Sequence, residues 1–69
     1  MEKFMLTLTK VNSRTVLAVC DTKTEAMVEG EKFRKHLTMD SGTLSVVYAE
    51  IDDENNIIGK KYQLYHSWL

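Results

Sequence analysis

Two pairs of alternating apolar and polar segments, one on each side of a single amphipathic segment, constrain the fold of this chain most strongly. The alternation runs through residues 3–9, 14–20, 43–51 and 57–68. A period of two residues is the pattern of a strand with one buried face. The 69 residues therefore predict the order strand–strand–helix–strand–strand, in one small α+β domain that covers residues 1–69.

The segment between the two strand pairs begins with the capping-box sequence Thr22-Lys23-Thr24-Glu25. We expect the Thr22 hydroxyl to accept from the backbone N–H of Glu25 and a helix to cover residues 23–37. Its predicted inward stripe has spacings of four, three and four residues. The stripe consists of Ala26, Gly30, Phe33 and Leu37. Gly30 on this stripe predicts a close approach to the sheet, and a loop is expected at residues 39–42.

The register of each hairpin depends on its turn. A two-residue turn at residues 12–13 would place Leu8 opposite Leu17. A three-residue loop at residues 54–56, within a polar turn at 52–56, would place Val46 opposite Leu64. The inward face of the first hairpin would then comprise Phe4, Leu6, Leu8, Leu17 and Val19. The second hairpin would pair Tyr48 with Tyr62, and a slip of one residue would exchange its faces.

The predicted architecture is a two-layer ββαββ sandwich, in which one helix covers one face of a four-stranded mixed sheet. The helix must cross from strand two to strand three, and such crossovers are right-handed. The preferred strand order is 2-1-4-3, which resembles the β-grasp topology of ubiquitin-like domains and immunoglobulin-binding domains of protein G. The order 1-2-3-4 stays open. The resemblance is topological only and implies no functional residue.

The outer face of this sheet is the main functional signal, because it is more apolar than a sheet face in water should be. A non-enzymatic interaction module is therefore expected, whose outer face forms a homodimer or docks another protein. The candidate interface residues are Met5, Val16, Ala18, Val47, Ala49, Ile51 and Tyr65.

A basic cluster at the predicted helix end is a candidate anion or partner patch. It consists of Lys32, Arg34, Lys35 and His36. Together with the C-terminal aromatic residues it suggests an alternative function, that of an accessory protein that binds nucleic acid. The net charge of −1, from nine basic and ten acidic residues, makes nucleic acid an unlikely partner.

The sequence predicts no catalytic residue, no cofactor and no metal site. Cys20 is the single cysteine and is interpreted as a structural one. Residues 52–63 echo a calcium loop, but Ile57 and Gln63 stand where the sharp-turn glycine and the bidentate glutamate belong. The chain has neither a signal-peptide pattern nor an apolar run long enough to span a bilayer. A cytoplasmic protein without membrane contact is therefore expected.

Overall fold

A computed structural model describes residues 1–37 and 42–68, with only the backbone described at Lys60. The chain forms a small α+β fold with one helix, as predicted. Its elements are β1 (Glu2–Lys10), β2 (Ser13–Cys20), α1 (Lys23–Arg34), β3 (Thr43–Ile51) and β4 (Ile57–Trp68). Most of the loop predicted at residues 39–42 lies outside the described residues.

The strand order is β2-β1-β3-β4, and all three neighbouring pairs are antiparallel. The predicted mixed sheet with order 2-1-4-3 is therefore wrong, and the order 1-2-3-4 is not found either. The central strands β1 and β3 carry buried residues on both faces. The more polar β4 lies at an edge, where its side chains reach solvent, and antiparallel pairing is slightly more stable per residue than parallel pairing.

Helix α1 begins at the predicted cap. The Thr22 hydroxyl accepts from the Glu25 backbone N–H at 3.2 Å and donates to the Glu25 carboxylate at 3.1 Å. The helix ends at Arg34 rather than at residue 37. Backbone bonds from His36 to Phe33 and from Leu37 to Arg34 tighten its last turn, which satisfies carbonyl groups that the helix leaves unpaired.

The first hairpin turns at Val11 and Asn12, because Lys10 pairs with Ser13. Leu8 therefore lies opposite Thr15, and the predicted pairing of Leu8 with Leu17 is wrong. Between Leu6 and Thr7 the register shifts by one residue, which leaves Leu17 as the extra residue of a β-bulge. Beyond the bulge the faces of β2 are exchanged relative to the prediction.

The second hairpin has the predicted polar turn, which Asp52 closes. Its carboxylate accepts from the backbone N–H groups of Glu54 at 2.9 Å and Asn56 at 3.0 Å. The register differs from the prediction by one residue, since Val47 rather than Val46 lies opposite Leu64. Irregular pairing near Gly59, which has a φ of 70°, causes this slip, and a bulge at Tyr65 shifts the register by one further residue.

The core between helix and sheet confirms the predicted inward stripe of α1. Ala26 and Gly30 are buried, and Phe33 and Leu37 pack against the same core. At Gly30 a Cβ atom would overlap the indole ring of Trp68, so the close approach is to this side chain. The buried residues of this helix-side core are Leu6, Ala26, Leu44, Val46 and Trp68.

A second core lies on the opposite face of the sheet, away from α1. It consists of Met5, Val47, Ala49 and Ile51, with Val19 packed against them. The Arg14 guanidinium lies 5.4 Å from the centre of the Tyr62 ring. Arg14 and Tyr62 belong to the two edge strands, which are three strand spacings, or roughly 14 Å, apart in a flat sheet. The sheet is therefore curled, with two of its corners folded toward each other over its outer face.

Candidate interaction surface

Four of the seven candidate interface residues do not form an exposed surface. Met5 and Ala49 are fully buried, and Val47 and Ile51 are 1% exposed. The sequence correctly indicated an apolar outer face, but the expectation that its centre is open to a partner is wrong. The bulges and irregular pairing of the edge strands increase the local twist, so that the sheet covers this centre with its own side chains.

The other three candidates divide between the two faces. Val16 lies on the outer face, opposite the buried Thr7, and it is exposed. Ala18 lies opposite Leu6 and packs against the helix-side core, so its predicted placement is wrong. Tyr65 is also on the helix side, with its ring 5.3 Å from the ring of Phe4. The bulge at Leu17 reversed the alternation at Ala18, and the irregular pairing near Gly59 reversed it for the part of β4 that contains Tyr65.

The exposed apolar side chains of the described residues concentrate on β4, at one edge of the sheet. Leu64 is 56% exposed and Tyr62 is 49% exposed. Both lie on the outer face, since they pair with Val47 and Ala49. Other exposed apolar side chains of β4 lie beside them, on both faces of the strand. We call the whole set the β4 edge surface. Its exposed apolar residues are Ile57, Ile58, Tyr62, Leu64 and Tyr65.

An aromatic cluster lies on the helix side of the same strand. Phe4, Tyr48 and Tyr65 are in mutual contact, with ring centres 4.7 to 6.1 Å apart. The Lys23 ammonium group lies 5.1 Å from the centre of the Tyr65 ring. Tyr65 is therefore fixed by packing and by a cation–π contact, although 37% of it reaches solvent.

The carboxylate of Glu2 links this aromatic cluster to β4. It accepts from the Lys61 ammonium group at 2.6 Å and from the Tyr48 hydroxyl at 2.9 Å. The hydrogen bond from Lys61 has the largest effect and lowers the pKa of Glu2. The bond from Tyr48 lowers it further. The same contacts raise the pKa of Lys61 and of Tyr48. Glu2 and Lys61 are exposed and Tyr48 is half-buried, so this network positions side chains at the surface.

The predicted basic patch is only partly available to a partner. Lys32 lies 3.5 Å from the Glu29 carboxylate, and Arg34 lies 3.7 Å from the Glu31 carboxylate. Pairs with this i, i+3 spacing balance the charge along the exposed side of the helix. Lys35 and His36 are exposed in the turn that follows the helix. The four residues adjoin one another as predicted, but acidic neighbours offset two of the positive charges.

A groove of about 410 Å³ runs along the exposed flank of α1. Its lining residues are Lys23, Thr24, Met27, Val28 and Glu31. The Glu31 carboxylate accepts from the indole N–H of Trp68 at 2.9 Å, and Lys23 covers the Tyr65 ring. Lys23 and Glu31, which lie at the two ends of the groove, thus both contact side chains of β4.

Cys20 is partly buried at the end of β2, and burial raises the pKa of its thiol, with a further contribution from the nearby Glu25. A raised pKa favours the thiol over the nucleophilic thiolate. Within residues 1–37 and 42–68, no three histidine, cysteine, aspartate or glutamate side chains come together as potential metal ligands.

No helix in the part of the chain that the structure describes is long and apolar enough to cross a bilayer. Comparisons with protein-family models, with curated proteins and with solved structures found no match.

Sequence reasoning missed Tyr62 and Leu64 as surface residues, because the expected register of the second hairpin directed both toward the helix. One signal in the sequence points to their exposure. Residues 59–63 read Gly-Lys-Lys-Tyr-Gln, and lysines are a common feature of edge strands, which they protect from unwanted pairing.

Proposed function

We propose that this protein is a non-enzymatic interaction module that binds an extended protein segment along the β4 edge surface. The proposal keeps the function expected from the sequence and moves the docking site from the outer face to the sheet edge. The observation that carries it is the concentration of exposed apolar side chains on an edge strand of twelve residues.

The backbone of β4 supports this mode of binding. An edge strand has a row of N–H and C=O groups that no neighbouring strand uses, and these groups can pair with an incoming strand. Such strand addition derives affinity from main-chain hydrogen bonds and specificity from pockets for alternate side chains. At twelve residues, β4 is longer than the eight-residue edge strand β2.

The side chains of β4 support the same conclusion. An added strand would place its own residues beside Tyr62 and Leu64 on the outer face and beside Tyr65 on the helix side. Directly opposite pairs of aromatic or apolar residues each contribute roughly 0.2–1 kcal/mol to a sheet. The other edge strand offers less apolar area, since Val16 is its one exposed large hydrophobic residue among those described.

The nucleic-acid alternative has less support from the side-chain geometry. Stacking on bases needs free aromatic faces. Trp68 is buried against Gly30, and Tyr65 packs against Phe4 and Tyr48. Tyr62 is the most exposed aromatic residue of β4, and Arg14 already occupies a position over its ring.

A pair of matched lysine substitutions tests the proposed function. Leu64→Lys places a charge in the β4 edge surface, whereas Val28→Lys makes the same kind of change on the helix, at a residue with a similar exposure of 50%. Both variants should fold, because both side chains already reach solvent. Association, measured by sedimentation and by quantitative recovery of bound proteins from cell extract, should weaken at least tenfold in Leu64→Lys only. Equal binding by the two variants, or no association of the wild type, would overturn the proposal.

A further inference from the structure

We infer that the segment that pairs with β4 is the β4 strand of a second copy of this chain, in an antiparallel arrangement with Gln63 at the two-fold axis. This inference rests on the proposed function and specifies its partner. A two-fold dimer brings identical surfaces together. Two identical edge strands meet this condition when they run antiparallel, and the pairing would join two four-stranded sheets into one of eight strands.

Residues 61–65 of β4 complement themselves in this register. Antiparallel pairing about Gln63 places Tyr62 of one copy directly opposite Leu64 of the other, and it does so twice. Both side chains lie on the outer face, because their partners in β3 are Ala49 and Val47. Their exposed fractions of 49% and 56% are the apolar area that the pairing removes from water.

The same register matches side chains on the helix side. Lys61 of one copy would lie opposite Tyr65 of the other. Within each copy, Lys61 binds Glu2 and Tyr65 packs against Phe4 of the aromatic cluster. The methylene stem of a lysine packs well along the exposed part of a tyrosine ring while its ammonium group keeps its own partner, here Glu2. Each half of the dimer therefore covers the exposed part of one Tyr65 ring, 37% of the residue, with the Lys61 stem of the other copy.

The distribution of charge favours a second copy in this orientation. β4 contains no acidic residue, and Lys60 and Lys61 lie in its first half. In the antiparallel register the two Lys61 positions are four residues apart along the seam, or about 13 Å. This separation exceeds the screening length of about 8 Å at physiological ionic strength, so the repulsion between them is small. A parallel arrangement would instead place the lysines side by side.

The opposite end of β4 lies next to an acidic residue rather than a basic one. Trp68 donates to the Glu31 carboxylate, whose side chain remains 54% exposed. Antiparallel pairing directs the lysine end of each strand toward the Trp68 and Glu31 end of the other copy. This orientation keeps the lysine-containing halves of the two strands apart, and the two-fold axis repeats the arrangement.

Site-specific cross-linking tests the register. In a Cys20→Ser background, Gln63→Cys should link two copies efficiently with a short bismaleimide reagent, because the two positions meet at the axis. Ser67→Cys is the matched control on the same strand. Its two positions would be eight residues, or roughly 26 Å, apart along the seam, and it should link at least tenfold less. Equal linking at the two positions would overturn the register.

Sedimentation of the unmodified chain tests the dimer itself. The wild type should reach twice its chain mass of 8.0 kDa at high concentration, and Leu64→Lys should remain monomeric with an unchanged circular dichroism spectrum. A wild type that stays monomeric would overturn this inference. If Leu64→Lys then also loses a bound protein that Val28→Lys retains, the proposed function stands with a different partner. If neither variant changes anything, both proposals fail.

Discussion

The two faces of the sheet are equally well buried at their centres, but they are covered in different ways. Leu6 and Met5 are neighbours in β1, point to opposite faces and are both 0% exposed. On the side of Leu6, helix α1 and Trp68 form the cover. On the side of Met5, the curled sheet covers itself. A four-stranded sheet can thus bury both of its faces with one helix when its edge strands bend.

The helix and the curl of the sheet, which cover the two faces, arise from different features of the chain. The helix depends on local features, namely the Thr22 cap and an apolar stripe with helical spacing. The curl depends on three irregularities in strand pairing, which add residues to the edge strands β2 and β4. Substitutions can therefore test the two covers separately.

The largest effect is expected from Val47→Lys combined with Ile51→Lys. Both side chains are buried in the outer core, so the double variant would bury two unpaired charges. We expect it to unfold, with loss of the cooperative thermal transition in circular dichroism. Val16→Lys is the control on the exposed rim of the same face and should retain its fold. A folded double variant would mean that the outer face is open to solvent.

A direct comparison of the faces comes from Met5→Ala and Leu6→Ala. Each removes a fully buried side chain, and such truncations cost about 2–5 kcal/mol in the free energy of unfolding. Urea titration should give similar losses for the two variants. A small loss for Met5→Ala beside a large one for Leu6→Ala would show that the outer core is much less tightly packed than the helix-side core.

Gly30→Ala tests the helix-side cover alone. The new methyl group would overlap the Trp68 indole, and overpacking of this kind costs about 1–3 kcal/mol. This cost should exceed the gain of about 1 kcal/mol in helix propensity, so the melting temperature should fall. Thr24→Ala, at an exposed position of the same helix, should leave the melting temperature equal or higher. A rise in both variants would contradict the close contact between Gly30 and Trp68.

The smallest effect is expected where Arg14 and Tyr62 meet over the outer face. Arg14→Gln removes the guanidinium group over the Tyr62 ring, an exposed cation–π contact that is worth about 0.5–1 kcal/mol. Lys10→Gln makes the same change of charge at an exposed residue of β1 and is the control. Urea titration should show a loss for Arg14→Gln only. Equal losses would indicate a general effect of charge rather than contact between the corners.

The sequence predicted the elements better than their partners. The bounds of β3 and β4, the cap at Thr22 and the inward stripe of α1 agree with the structure, because each follows from interactions within a short segment. The strand order was wrong, since alternation shows that a segment is a strand without identifying its neighbours. The candidate surface was wrong in part, because a bulge in β2 reversed the expected face of Ala18 and irregular pairing near Gly59 reversed that of Tyr65.

The sequence by itself determined that four strands and one capped helix form, and that the sheet is apolar on both faces. Tertiary structure decided that β1 pairs with β3, that the outer core is covered by the chain itself, and that Tyr62 and Leu64 reach solvent. The physical reason is that apolar periodicity reports on burial along one segment. The neighbours of a strand and the curvature of a sheet are set by contacts between residues far apart in the chain, which compete in free energy only when the whole sheet assembles.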